Sequence, residues 1–219
     1  MVSSDGNSRH YSPLDATRWG VPSLQQTDRS RIRRKAERGR YDAATVDAIL
    51  DEALVCHLGF VVDGRPVVLP TTFVRVDDDV YVHGAVGNAA LRALAAGGDV
   101  CLTVTLLDGL VLAKSAFHHS MNYRSVVLFG RADVVAEPSE KRVALLALVD
   151  RMVPGRSTAS RSPTDEELRS TLVLRLPVAE GSAKVREGGP IDDEEDLTLP
   201  YWAGVIPVTT VLGEPVPTP

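Results

Sequence analysis

Residues 55–84 read VCHLGFVVDGRPVVLPTTFVRVDDDVYVHG, three apolar runs separated by Asp63-Gly64-Arg65 and Asp77-Asp78-Asp79. Val, Phe, Thr and Tyr suit a pleated, half-buried surface, and an Asp-Gly between two such runs supplies the positive φ of a tight hairpin. The spacing predicts a meander of three antiparallel strands. Upstream, Ala43, Val46, Ile49, Leu50, Ala53 and Leu54 keep the i, i+3, i+4 period of an amphipathic helix, with Asp42 placed to cap it. Downstream, an Ala/Leu-rich helix over about 88–96 ends at Gly97-Gly98. Val100, Leu102, Val104 and Leu106 then alternate along a fourth strand, which Asp108-Gly109 is expected to turn into a fifth, LVLAKSAF.

NYRSVVLFGRADVV (122–135) alternates along a long strand whose Gly130 marks a bend. Pro138 opens the helix PSEKRVALLALVDRMV, stopped by Pro154-Gly155, and a short helix PTDEELRS precedes a final strand, TLVLRLPV. Six or more strands between Val55 and Val178, with short inserted helices and no strict β-α alternation, argue an α+β protein on a closed antiparallel barrel. No Gly-x-Gly-x-x-Gly follows a strand, which weakens a dinucleotide-binding parallel sheet.

The chain has 219 residues, 44% hydrophobic and 24% charged, enough for one large domain and unlike a collagen, a coiled coil or a disordered acidic tail. With 24 Lys+Arg against 29 Asp+Glu the net charge is −5, so bulk attraction to nucleic acid or anionic membrane is not expected. Apolar runs such as 144–149 fall far short of the ~18–20 residues that span a bilayer. The N-terminus MVSSDGNSRHYSP has no apolar signal core, so a cytoplasmic location is expected. Cys56 and Cys101 sit in apolar strands without Cys-x-x-Cys spacing and read as buried free thiols.

Residues 1–28 read as a flexible arm, 29–188 as the folded domain, and 189–219 as an acidic, Pro-rich extension packing on the barrel or on a partner subunit. Arg29, Arg31, Arg33, Arg34, Lys35, Arg38 and Arg40, with Glu37 among them, form a basic segment. Without interleaved aromatics it reads as solvated or subunit-facing, with a nucleic-acid arm as the alternative.

No Gly-x-Ser-x-Gly elbow, Walker A loop or His-Glu-x-x-His helix is present, so hydrolase and kinase readings have no support. His118 and His119 are adjacent and point to opposite faces of an extended segment, so no metal site is expected. Two clusters suit an anionic or sugar-bearing ligand. Tyr81-Val82-His83-Gly84-Ala85-Val86-Gly87-Asn88 is a strand end that opens a helix, which presents backbone N–H groups to a phosphate or merely turns the chain. Ser120, Asn122, Tyr123, Arg124 and Ser125 combine a guanidinium with hydroxyl and amide donors, or form the polar face of a strand.

In order, DGRPVVLPTTF, DDDVYVHGAVGNAALRAL, NYRSVVLFGRADVV, MVPGR and ELRSTLVLRLPVAEGSAKVREG resemble the pyridoxamine 5′-phosphate oxidase-like FMN-binding split barrels, and among them the nitroimidazole-resistance type. The resemblance runs from about Arg34 to Gly188. It implies a six-stranded split β-barrel with short peripheral helices, and a homodimer with flavin at the subunit interface. Pro70, Thr71 and Thr72 would lie along the flavin ring, and His83, Gly84, Ala85 and Asn88 around the phosphate end. Ser120, Asn122, Tyr123, Arg124 and Ser125 would complete the cofactor site, with Lys184 at its edge in Ser182-Ala183-Lys184, where the family carries Ser-Gly-Lys. PVVLPTTF offers no cation, so vitamin B6 oxidation is not implied.

The expected function is an FMN-dependent oxidoreductase that takes electrons from a reduced nicotinamide and reduces a nitro compound, quinone or similar small molecule. His83 or Tyr123 would be the catalytic proton donor. The alternative is a protein that holds FAD, deazaflavin or haem without turnover. For haem, His118 or His119 is the expected ligand rather than His57, which reads as core.

Overall fold

The computed structural model describes residues 23–218. Most of the predicted arm, residues 1–22, lies outside the described residues. Its last part is folded: Ser23 bridges Asp42, Gln25 bridges Glu180, and Leu24 is buried in the core.

Ten strands form one sheet: β1 (Gly39–Arg40), β2 (Val55–Val62), β3 (Arg65–Val76), β4 (Asp79–Ala85), β5 (Asp99–Leu112), β6 (Ser120–Arg131), β7 (Asp133–Val134), β8 (Thr171–Pro177), β9 (Glu180–Arg186) and β10 (Gly204–Pro207). The order is β1-β9-β6-β5-β2-β3-β4-β8-β7, with β10 paired to β5. The helices are α1 (Ala43–Glu52), α2 (Ala89–Ala95), α3 (Pro138–Met152) and α4 (Asp165–Ser170). The architecture is the expected α+β curled antiparallel sheet, with ten strands rather than six.

The predicted hairpin is present: Asp63 and Gly64 both take positive φ, 50° and 73°, the pair of left-handed residues that a two-residue turn requires. The predicted turn at Asp108-Gly109 is absent. There β5 runs straight on and absorbs one extra residue as a bulge against β6, because β6 and β10 pair with it through Gly109–Leu112. TLVLRLPV is not the last strand either, since β9 and β10 follow it. At Gly181 a Cβ would strike the Val127 carbonyl of β6, so only glycine lets β9 seat there.

Leu58, Phe73, Val82, Leu102 and Leu128 meet inside the curl, each at 6% exposure or less, and each such side chain contributes about 1.5–3 kcal/mol. Helix α1 closes one end of this core with Val46, Ile49 and Leu50. Asp42 caps it, accepting from the Thr45 N–H at 2.9 Å. Its other turns are pinned by ions: Arg75 to Asp51 and Asp47, and Arg124 to Glu52. A second cluster, Val74, Tyr81, Ala144, Leu148 and Val173, seats α3 on the outer face of β3, β4 and β8.

On the rest of that outer face no described helix packs: Val55, Val61 and Val68 are exposed on β2 and the first half of β3, while at β6 the Arg29 guanidinium lies 5.1 Å over the Phe129 ring. Residues 189–207 pack on their own barrel: Lys114 N donates to Asp192 Oδ1 at 2.8 Å, and β10 pairs with β5. No described helix is long and apolar enough to cross a membrane.

Candidate functional site

Ladder register arranges the uncovered outer face in rows. His57 on β2 stands opposite Pro70 on β3 and Thr103 on β5, and Thr103 stands opposite Val127 on β6. In the next row Gly59 faces Val68 on one side and Cys101 on the other, and Cys101 faces Phe129. Side chains alternate along a strand, so these residues turn away from core neighbours such as Leu58, Leu102 and Leu128. Val55 is 47% exposed, Val61 65% and Val68 67%, a flat apolar band with an imidazole at its centre. His57 is therefore exposed, not core: a period of two shows that one face is buried without showing which. Among the described residues its ring makes no hydrogen bond. Cys101 is likewise half-buried on this face, whereas Cys56 is buried and its thiol is pushed up to about 12 by desolvation.

His83 lies on β4 on the same side as Tyr81, one residue beyond the Phe73–Val82 pair, where β3 and β4 part. Thr72 flanks that point on β3. The Nδ1 atom of His83 is buried and has no hydrogen-bond partner among the described residues. Burial also lowers the imidazole below its ordinary 6.5, so it is neutral at pH 7 and offers a hydrogen bond rather than a spare proton. A buried nitrogen left unpaired costs about 1–3 kcal/mol, which a polar ligand edge would recover. The ring edge of a flavin, with its carbonyl and N–H groups, fits that position, and the apolar band fits the faces of a flat ring.

Other expected ligands are not presented there. Strand alternation splits Pro70-Thr71-Thr72: Pro70 and Thr72 point outward, while Thr71 faces inward opposite the buried Cys56. At the expected phosphate end, Asn88 Oδ1 already accepts from the N–H groups of Ala90 (3.0 Å) and Leu91 (3.2 Å). At Gly84 a Cβ would come within 2.7 Å of Leu91 Cδ1, so the missing side chain leaves room for Leu91. The glycine serves the packing of the seven-residue α2, and Ala85 ends β4 opposite Thr171.

Arg124 is also turned away from the outer face. Its guanidinium is held between two carboxylates, Nε and Nη2 to Asp108 at 3.0 and 2.7 Å and Nη2 to Glu52 at 2.8 Å, and these bonds raise its pKa. Asn122 bonds Arg186 and the Gly188 carbonyl. Ser125 and Tyr123 do face outward, opposite Lys184 and Arg186 of β9, with Ser125 Oγ donating to the Lys184 carbonyl at 3.3 Å. Ser120 begins β6 opposite Val111. Tyr123 and His83 are not brought together within one chain, because β5, β2 and β3 lie between their strands.

Among the described residues, the other two histidines are occupied. His118 Nε2 lies 3.1 Å from Asp193 Oδ2, and His119 Nδ1 lies 3.0 Å from the Ser115 carbonyl. With Asp196 the first pair forms a group whose ligand-type atoms lie within 4.8 Å of one another. Sequence reasoning missed that juxtaposition because the acids lie more than 70 residues downstream.

The family model for pyridoxamine 5′-phosphate oxidase matches residues 42–185. Among solved structures, the chain is similar to the flavocytochrome Anf3 from Azotobacter vinelandii, with 43% identity, 90% of this chain and 92% of that one covered, and a TM-score of 0.84. It is similar to an FAD and haem binding protein from Mycobacterium smegmatis at 41% identity, covering 83% and 89%, with a TM-score of 0.80. A protein described as a 5-nitroimidazole antibiotic resistance protein from Bacteroides thetaiotaomicron shares the fold at 22% identity, covering 81% and 96%, with a TM-score of 0.57. No curated protein sequence matches. A family match across most of the folded domain, and two relatives above 40% identity along nearly all of it, place the chain in the pyridoxamine 5′-phosphate oxidase family.

Proposed function

We propose that the protein binds a flavin nucleotide, and a haem with it, on the outer face of β6, β5, β2 and β3, and that two copies of the chain close over that face. The observation that carries the reading is the uncovered apolar band, with His57 at its centre and the unpaired Nδ1 of His83 at its margin. The two relatives above 40% identity, a flavocytochrome and an FAD and haem binding protein, favour the same pair of groups, and the second favours FAD over FMN.

Thr72 and His83 would hold the flavin edge, and Pro70 would lie against the ring. His57 replaces His118 and His119 as the expected haem ligand, since its ring is exposed and unengaged while theirs are bonded. When bound, flavin and haem supply electron transfer, and this chain supplies a dry, apolar bed and a neutral imidazole. Reduction of a small nitro compound or quinone is the second reading, favoured by the free hydrogen-bonding atom of His83 beside the ring.

The test is the absorbance spectrum of the purified protein, repeated after FAD, FMN and haemin are added separately and unbound ligand is removed. Retained flavin bands and a haemin Soret band are expected. Retention of neither would overturn the reading, and retention of flavin alone would remove the haem.

A further inference from the structure

The basic segment that the fold leaves beside the cofactor face has a specific arrangement. Strand β1 adds to β9, with Gly39 opposite Lys184, so this segment runs along the sheet edge with β9 between it and Ser125 and Tyr123 of β6. Lys35 takes a left-handed φ of 57°, and the tight turn Ala36–Arg38 that follows brings the Arg34 carbonyl to 3.3 Å from Lys184 Nζ. Arg186, two residues along β9, is only 6% exposed. Its guanidinium bonds only neutral oxygens, those of Asn122, Gly188 and Gly189, the last at 3.1 Å. Among the described residues it has no carboxylate.

A buried cation without a counter-charge is costly, and the like charge of Arg38 adds to the cost: both desolvation and Arg38 lower the Arg186 pKa. The only acid paired within the turn is Glu37, 3.9 Å from Arg38. In a chain of net charge −5 this is a local surplus of positive charge on the β9 edge; β6, β5, β2 and β3 lie between it and His83, so a ring held at His83 would meet it from the other copy of the chain.

We propose that Lys184, Arg38 and the buried Arg186 form an anion subsite that takes the phosphate or carboxylate tail of the cofactor lying on the neighbouring face. Lys184 and Arg38 reach the anion; Arg186 supplies fixed charge beneath them. The cofactor source rests on the reading above, whereas the subsite itself rests on these residues.

Inorganic pyrophosphate tests the subsite without any cofactor. It should raise the melting temperature of the full chain beyond chloride at equal ionic strength, and Lys184→Gln and Arg38→Gln, both at partly exposed positions, should lose that gain. No gain in the wild type, or the same gain in the variants, overturns the proposal. Two ligand pairs then identify the tail. If it is a phosphate, FMN should bind about tenfold more tightly than riboflavin, the worth of one charge-assisted hydrogen bond, and the variants should erase the difference. If it is a carboxylate, the same should hold for haemin against its dimethyl ester. Equal binding within both pairs overturns the assignment to a cofactor tail, and so does salt-sensitive DNA retention lost in the same variants. Failure to bind any flavin or haem overturns the cofactor reading while the pyrophosphate result stands.

Discussion

His83 and Tyr123 share the outer face of one sheet, yet β5, β2 and β3 separate their strands, and Tyr123 lies toward the end of β6 away from Gly130, which packs against Leu176 of β8. If both serve one flavin, each must come from a different copy of the chain. His83→Ala and Tyr123→Phe should each lower flavin retention when expressed alone. Co-expressed, they should recover part of it, because a mixed dimer holds one intact site. Recovery no better than either variant alone would place the site within a single chain.

Acid should weaken the fold through His83. Burial lowers its pKa below 6.5 in the folded chain, so the unfolded chain binds more protons in the window between the two values. The stabilisation is complete above about pH 6.5 and is lost as pH falls through the folded pKa. Melting temperatures followed from pH 8 to about pH 5 should fall less in His83→Gln than in the wild type. Parallel curves would show that His83 does not titrate with folding.

The two thiols should report the face. Cys56 is buried with its thiol pushed up to about 12, so it should resist alkylation in the native protein. Cys101 is half-buried on the outer face and should react first, slowly, since burial raises it too. Bound flavin or dimerisation should protect it. Equal labelling with and without flavin, measured by mass spectrometry, would place the ligand elsewhere.

What the sequence disclosed follows from what leaves a periodic mark. Helices α1 and α3 were legible from spacing, the Asp42 cap and Pro138, and the first hairpin from Asp63-Gly64. Strand β9 escaped notice because its inward positions are Gly181 and Ala183, too small to register as an apolar stripe. The Asp108-Gly109 signal misled because strands on both sides held the backbone extended through it. On the outer face, the family motif singled out His83, Pro70 and Thr72, which strand alternation turns outward. It could not show that Asn88 caps its own helix, that two carboxylates occupy Arg124, or that no described element covers His57.

Arg124 distinguishes structural from ligand roles directly. Arg124→Met removes its bonds to Asp108 and Glu52, which join β5 and α1 to β6. Both carboxylates are partly solvated, so the loss should be about 1 kcal/mol, with flavin affinity unchanged. A variant of wild-type stability that no longer binds flavin would return Arg124 to the cofactor site.

The uncovered band on β2 and β3 is the proposed cofactor face. Val55 and Val68 are exposed there, so Val55→Glu and Val68→Glu remove no core packing and should cost at most about 1 kcal/mol of strand preference. The decisive measurement is the flavin retained per chain by these two variants against the wild type, with melting temperature measured alongside. Retention should collapse while melting barely moves; full retention by folded variants would contradict a cofactor bound on this band.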